Sequence, residues 1–225
     1  MKRIAIIMIF VMLATGCSTV AVQYDNNSSI NQTLSPDSLE SSEFNSDNME
    51  IIRAIGKSNK GQVLIVPEED EKIEQLGAPS CLGEETDYSI NGKYKILFKD
   101  SEGNITQISE YEGQIIAKDT EAIELEKLTF NGVELFHFKP IPNLCRPDIA
   151  YLFGVTEDKE AFQFSFEYDD NTFRWVCSSP NTIPEIIDNM LVISSWEWDK
   201  GNYKEFFVPD VQKRTMKFVK KEFEE

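Results

Sequence analysis

The most reactive side chains in this 225-residue sequence are four cysteines and a single histidine. A Cys–His hydrolase would use His137 as the base that activates one of the cysteines. The histidine lies in the apolar run Leu135–Phe138 without any catalytic motif around it, which favours a structural role. There is no Cys-x-x-Cys pair and no His-Glu-x-x-His motif. We therefore assign no catalytic residue, no metal ligand and no cofactor.

Three of the cysteines lie beyond residue 50, at Cys81, Cys145 and Cys177. Outside the cytoplasm two of them are expected to form a disulfide, which leaves one thiol free. Cys145 lies in a proline-rich loop and Cys177 at the end of a predicted strand, so the predicted disulfide joins Cys145 to Cys177. Buried free thiols are the alternative.

Aromatic residues near the C terminus form the candidate ligand platform. Trp196, Trp198 and Tyr203 flank Asp199 around one predicted hairpin. If these rings are exposed, they offer a surface for a glycan or a peptide. Trp196 and Trp198 share one face of a strand by parity, which favours burial in the core instead.

Carboxylates dominate the charge, with 39 Asp and Glu against 22 Lys and Arg and a net charge of −17. Such a chain repels phosphate backbones, so nucleic acid is not an expected partner. The charge suits cations, although solubility alone explains it more simply. The calcium-like spacing of Asp100, Glu102 and Asn104 lacks the later glycine and glutamate of an EF-hand loop and indicates a turn.

The elements that must position these groups show a period of two. Aromatic residues stand at every second position of Phe162–Tyr168, which predicts a strand. Further predicted strands cover residues 94–98, 133–139, 148–154, 173–177, 191–198, 203–208 and 215–223. Turn signals such as Asn91-Gly92 and Asn131-Gly132 separate them. The predicted fold is therefore all-β and consists mostly of antiparallel meanders.

One or two short helices complete the predicted fold. Pro67–Leu76 opens with proline and acidic residues and is followed by Gly77, which predicts a helix, and a second helical turn is expected near Pro184. Residues 50–225 hold thirteen of the fifteen phenylalanines and are predicted to form a single β-rich domain. Residues 17–49 are rich in serine and asparagine and are predicted to be a flexible tether.

Residues 1–16 have the layout of a secretory signal peptide. Lys2 and Arg3 precede the apolar run Ile4–Leu13, which is shorter than the roughly 20 residues of a membrane-spanning helix. The segment Leu13–Cys17 resembles a bacterial lipobox, although its leucine stands one position too early. The resemblance implies cleavage before Cys17 and lipidation of that cysteine. An ordinary secretory cleavage or an uncleaved anchor is the alternative.

Lipidation of Cys17 implies that the chain contacts a membrane through its acyl chains and works outside the cytoplasm. The membrane is the cell membrane or, in an organism with two membranes, the outer membrane. Ser18 is not the aspartate that usually signals retention at the inner membrane, which favours the outer one in such an organism.

Part of the predicted domain resembles a β-propeller blade of the FG-GAP or VCBS type. The resemblance rests on three segments, residues 133–138, 146–154 and 161–166. It implies a partial propeller, and a sandwich or an open curved meander is the alternative. The calcium-binding loop of that family has no counterpart here, because Pro140–Pro147 contains no array of carboxylates.

These observations predict a membrane-anchored extracytoplasmic lipoprotein whose β domain is a non-enzymatic binding or scaffolding module of the cell envelope. Its partner would be an envelope protein, a glycan or a peptide. An envelope hydrolase or enzyme-associated subunit is one alternative, and a cation-binding module is another.

Overall fold

The computed structural model describes residues 51–142, 144–145 and 147–224. Within them the regular elements are the following strands: β1 (Ala54–Lys57), β2 (Gly61–Pro67), β3 (Lys72–Gln75), β4 (Tyr88–Asp100), β5 (Ile105–Ala117), β6 (Ile123–Glu124), β7 (Glu126–Phe130), β8 (Val133–Phe138), β9 (Asp148–Val155), β10 (Ala161–Gln163), β11 (Ser165–Tyr168), β12 (Asn171–Phe173), β13 (Val176–Ser178), β14 (Glu185–Ile187), β15 (Met190–Glu197), β16 (Gly201–Asp210) and β17 (Thr215–Phe223). The all-β prediction is confirmed. The predicted signal peptide, Cys17 and the predicted tether lie outside the described residues.

The strands form three sheets. Sheet 1 has the order β3-β4-β2-β1-β6, with β5 paired to β4. Sheet 2 is the antiparallel meander β10-β9-β8-β7, with β13 paired to β9. Sheet 3 has the order β12-β11-β17-β16-β15-β14, in which the β11–β17 pair is parallel. No described residue belongs to a helix that is long and apolar enough to span a membrane.

Sheet 2 is the middle layer, because both of its faces are covered. All six residues of β8 are buried. Phe136 and Phe138 pack into one core cluster with residues of sheet 1, whereas Val133 and Leu135 pack into a second cluster with residues of sheet 3. Alternation in β8 thus places apolar groups in two cores at once. A strand covered on both faces explains the continuous apolar run in its sequence.

The strand predicted over Phe162–Tyr168 is divided between two sheets. β10 pairs with β9 in sheet 2, and β11 pairs with β17 in sheet 3. Phe164 lies between them, fully buried, and its amide donates a 2.9 Å hydrogen bond to the Leu152 carbonyl. Glycine at position 154 permits this close packing, since a Cβ there would stand 2.7 Å from the Phe164 ring. The alternation of aromatics continues through this crossing, although the sheet changes.

Both predicted helices are wrong. The segment after Pro67 contains β3, which pairs antiparallel with β4, and Glu71 is drawn into an ion pair with buried Arg53. A segment with so few apolar residues has no face with which a helix would pack. Near Pro184 the chain forms β14, and the positive φ angles of Asp188 and Asn189, 49° and 61°, turn it back onto β15.

One of the two Asn-Gly turn predictions is correct. Asn131 and Gly132 have φ angles of 48° and 78° between β7 and β8. Asn91 and Gly92 instead lie inside β4, where Gly92 stands opposite Gly113 of β5. The long β4–β5 pairing on one side and β3 on the other hold this segment extended, against its local preference for a turn.

Candidate functional site

A cleft of about 460 Å³ opens where the three sheets approach each other. Its volume falls in the range of small-ligand sites, about 300–1,000 Å³. The lining comes from separate parts of the chain: Phe98 on β4, residues 106–108 on β5, residues 159–163 around β10, Ser165 on β11, Arg174 after β12 and Arg214 before β17. Phe98 and Phe162 are each only 3% exposed and supply the apolar part of the lining.

A β-bulge shapes the side of the cleft formed by β5. Leu97 of β4 stands opposite Gln107, and Ile96 stands opposite Ser109, so that Ile108 is an extra residue in β5. Bulges redirect side chains and are common beside functional sites. Here the bulge lets both Gln107 and Ile108 line the cleft.

Arg174 lies where the chain crosses from sheet 3 back to sheet 2. β12 ends at Phe173 and pairs with β11, whereas β13 begins at Val176 and pairs with β9. The continuous strand predicted over residues 173–177 is therefore wrong. The crossing at Arg174 lies beside the crossing at Phe164, since the Gln163 side chain donates a 2.7 Å hydrogen bond to the Arg174 carbonyl.

A polar network joins these crossings to the bulge. One terminal nitrogen of Arg174, Nη2, donates to Gln163 Oε1 at 2.8 Å and to the Ser109 hydroxyl. Ser109 Oγ also donates to Gln163 Oε1. Ser109 is buried and lies on β5, so the network links sheet 1 to the junction of the other two sheets.

Two further cations line the cleft. Arg214 pairs with Glu160, and its guanidinium lies 5.4 Å from the centroid of the Phe162 ring. Lys159 pairs with Glu102 at 2.6 Å. Of the three arginines in the described part of the chain, only Arg53 lies elsewhere. The cleft thus concentrates positive charge on a chain with a net charge of −17.

His137 is not part of this cleft lining. It stands opposite Leu152 in the β8–β9 ladder, 6% exposed, and its Nε2 has no hydrogen-bond partner among the described residues. Burial, followed by the positive charge of Lys139, lowers the pKa of His137 to about 3. The imidazole is therefore neutral at physiological pH and shielded from solvent between two layers of the fold.

The disulfide prediction was wrong in its pairing. Cys145 is bonded to Cys81, with the two Cα atoms 5.2 Å apart. The Leu144 amide donates a 2.7 Å hydrogen bond to the Cys81 carbonyl and aligns the two loops. Cys177 lies on β13, opposite Ile149 of β9, and no described cysteine is a free thiol.

The three predicted platform residues do not share one surface. Trp198 is 85% exposed, Trp196 is partly buried, and their rings meet edge to face with centroids 4.9 Å apart. Tyr203 is 4% exposed, and the Lys221 ammonium lies 3.4 Å from its ring centroid. Burial of Trp198, expected from strand parity, is wrong because β15 ends at Glu197 and Trp198 begins the turn.

A buried carboxylate on β16 was not expected from the sequence. Glu205 is 8% exposed and accepts a 2.7 Å hydrogen bond from the Tyr168 hydroxyl. Burial raises the pKa of Glu205. In so acidic a chain this glutamate has no distinguishing local signal.

Across the described residues, no group of three or more His, Cys, Asp and Glu side chains is arranged to hold a metal ion.

Comparison with known proteins adds no relative. No family model matches the chain, and no curated protein or solved structure matches it either.

Proposed function

We propose that this chain is a lipid-anchored extracytoplasmic binding module and that the cleft between the three sheets is its ligand site. The observation that carries the proposal is the lining of the cleft, which combines buried aromatic rings with arginine, lysine and glutamine side chains fixed by hydrogen bonds. Such a mixture of apolar surface and a few placed polar groups is typical of small-ligand sites. These side chains bind and orient a ligand.

The anchoring half of the proposal rests on the resemblance of Leu13–Cys17 to a lipobox. Acyl chains on Cys17 would hold the protein on the cell membrane or the outer membrane. We expect the wild-type chain to partition into the detergent phase of a membrane extract and the Cys17→Ser variant to partition into the aqueous phase. Ser18→Ala, which keeps the cysteine, is the matched control. An unchanged partition of Cys17→Ser would place the anchor elsewhere.

The binding half predicts that blocking the cleft removes the ligand. Thr106 is exposed on β5 and lines the cleft, so a tryptophan at this position fills part of its volume. Glu112 is exposed on the same strand outside the lining, and Glu112→Trp is the matched control. We expect molecules retained from an envelope extract by the wild type and Glu112→Trp to be lost from Thr106→Trp, as measured by mass spectrometry. Equal retention by all three chains would contradict the proposal.

A second candidate surface is the β15–β16 turn, where Trp198 is the most exposed large aromatic side chain described. An exposed indole there supports the alternative of a scaffold that contacts a glycan or a peptide.

We also propose that the domain is built as part of a propeller. The four-stranded antiparallel meander β7–β10 supports this architecture.

A further inference from the structure

We propose that the cleft recognises the acidic group of its ligand, a carboxylate or a phosphate, through Arg174, while the apolar part of the ligand lies against the half-buried side chains of Ile108 and Ala161. This inference rests on the proposed function, because it takes the cleft as the ligand site and adds the class of ligand.

Arg174 is hydrogen-bonded to neutral side chains. The chain has 39 carboxylate residues for 22 cations, yet the hydrogen-bond partners of this guanidinium are neutral, Ser109 and Gln163. Both bonds use Nη2, and within the described residues Nε and Nη1 have no hydrogen-bond partner. A guanidinium has five N–H donors in a planar fork that matches a carboxylate or a phosphate. Arg174 therefore keeps most of its donors and its full charge for a ligand.

Hydrogen bonds hold Arg174 in place before any ligand arrives. Gln163 accepts from the guanidinium and donates to the backbone carbonyl of the same residue, at 2.8 and 2.7 Å. Side chains that are already ordered lose less conformational entropy on binding. The neutral partners also leave no carboxylate that the ligand would have to displace from Arg174.

Arg214, unlike Arg174, has a carboxylate partner. Its guanidinium lies over the Phe162 ring and pairs with Glu160, which itself lines the cleft. Glu160 therefore competes with an incoming acid for Arg214 and repels it. Removing this carboxylate should strengthen the binding of acids, whereas removing Arg174 should weaken it. The two substitutions in this cleft are thus predicted to change the affinity for acids in opposite directions.

The apolar part of the cleft defines the rest of the ligand. Behind the cleft, Phe98 and Phe162 are almost fully buried. The apolar side chains that present surface to a ligand are those of Ile108 and Ala161, which are half-buried. A small acid with a flat or aliphatic body covers these groups while its charged end reaches the guanidinium. Phenylacetate and phenyl phosphate have this form, and phenylacetamide has the same body as phenylacetate without the charge.

The test is a calorimetric titration of the full-length chain with these three probes, at concentrations up to about 10 mM, where millimolar affinities are measurable. We expect at least one of the two anions to bind about tenfold or more tightly than the amide. Arg174→Gln should lower the anion affinity about ten- to hundredfold and leave the amide unchanged. Glu160→Gln should raise the anion affinity. Lys213→Gln, which removes the same charge next to Arg214 outside the lining, should change nothing.

The outcomes separate the two proposals. Equal binding of phenylacetate and its amide, with no effect of Arg174→Gln, would overturn the acidic ligand and leave the cleft as a ligand site. Binding of no probe would contradict the acidic ligand, and the retention assay with Thr106→Trp would then decide whether the cleft binds anything. A preference for phenyl phosphate over phenylacetate assigns the acidic group as a phosphate, and the reverse assigns it as a carboxylate. Arg174 and Glu160 are exposed, so their substitution should not unfold the chain, and the melting temperature of each variant checks this.

Discussion

Replacement of Glu71 by glutamine is expected to lower the free energy of unfolding by about 3–5 kcal/mol, because it leaves a buried guanidinium without its carboxylate. The side chains of Arg53 and Glu71 are only 5% and 4% exposed, and Arg53 Nη2 lies 2.6 Å from Glu71 Oε2. Arg53 Nε also donates to both carboxylate oxygens at 2.9 Å, and Nη1 donates to the Thr120 carbonyl. Arg53 thus connects three segments that flank strands of sheet 1, namely those before β1 and β3 and the one between β5 and β6. Urea denaturation of the full chain measures the loss.

Two further variants identify the cause. Glu69→Gln removes the same charge two residues away, but Glu69 pairs with Lys93 at the surface, where both side chains are about half exposed. We expect that control to change the free energy of unfolding by less than about 1 kcal/mol. The double variant Arg53→Met with Glu71→Leu should be more stable than either single change, because neither charge is then left unpaired. Additive losses would show that the ion pair does not matter.

Truncation of Phe164 to alanine should be comparably severe, costing about 3–5 kcal/mol. Phe164 is fully buried at the crossing from sheet 2 to sheet 3, with its ring centroid 4.9 Å from that of Phe162. The cavity left behind would lie at the junction that supports the cleft. Phe173→Ala, at a ring that is 37% exposed on neighbouring β12, should cost only about 1 kcal/mol. Urea midpoints of the two variants make the comparison.

Gly154 tests the same junction from the opposite side. A methyl group on Gly154 would lie 2.7 Å from the Phe164 ring, so Gly154→Ala should destabilise the wild type. In the Phe164→Ala background that ring is gone, and the same change should cost much less. An equal cost in both backgrounds would contradict the packing described at this crossing.

Alternation of apolar and polar residues predicted the strands correctly, because a strand with one buried face has an apolar residue at every second position. This holds whichever sheet the strand joins. The aromatic series through Phe162–Tyr168 shows this clearly, since Phe162 is buried in β10 and Phe166 in β11, on either side of Phe164. The change of sheet there is not visible in the local sequence, because Phe164 is buried like Phe162 before it and Phe166 after it. Sheet membership depends on partners far away in the chain, which a single sequence does not reveal.

Long-range contacts also overrode several local signals. The helix signal at Pro67–Leu76 gave way to pairing with β4 and to the ion pair of Glu71 with Arg53. The Asn91-Gly92 turn gave way to the long β4–β5 ladder. The partner of Cys145 was set by a loop 64 residues away.

The candidate site was missed because no short motif encodes it. Arg174, Gln163 and Ser109 are separated by many residues and meet only through the two crossings and the bulge. One signal was present in the sequence. Arginines are few in this strongly acidic chain, so each arginine is a candidate for a specific structural or binding role. Trp198 was a candidate ligand contact because of its indole ring. Strand parity predicted that it is buried, which is wrong because the strand ends one residue earlier.

To test the claim that the cleft is the ligand site, one would map where a bound probe changes the nuclear magnetic resonance spectrum of the full-length chain. With phenylacetate and phenyl phosphate we expect the largest shifts at the Gln107 and Ile108 amides and at the side chains of Gln163 and Arg174. Shifts centred on the Trp196 and Trp198 indoles, with the cleft signals unmoved, would contradict the claim.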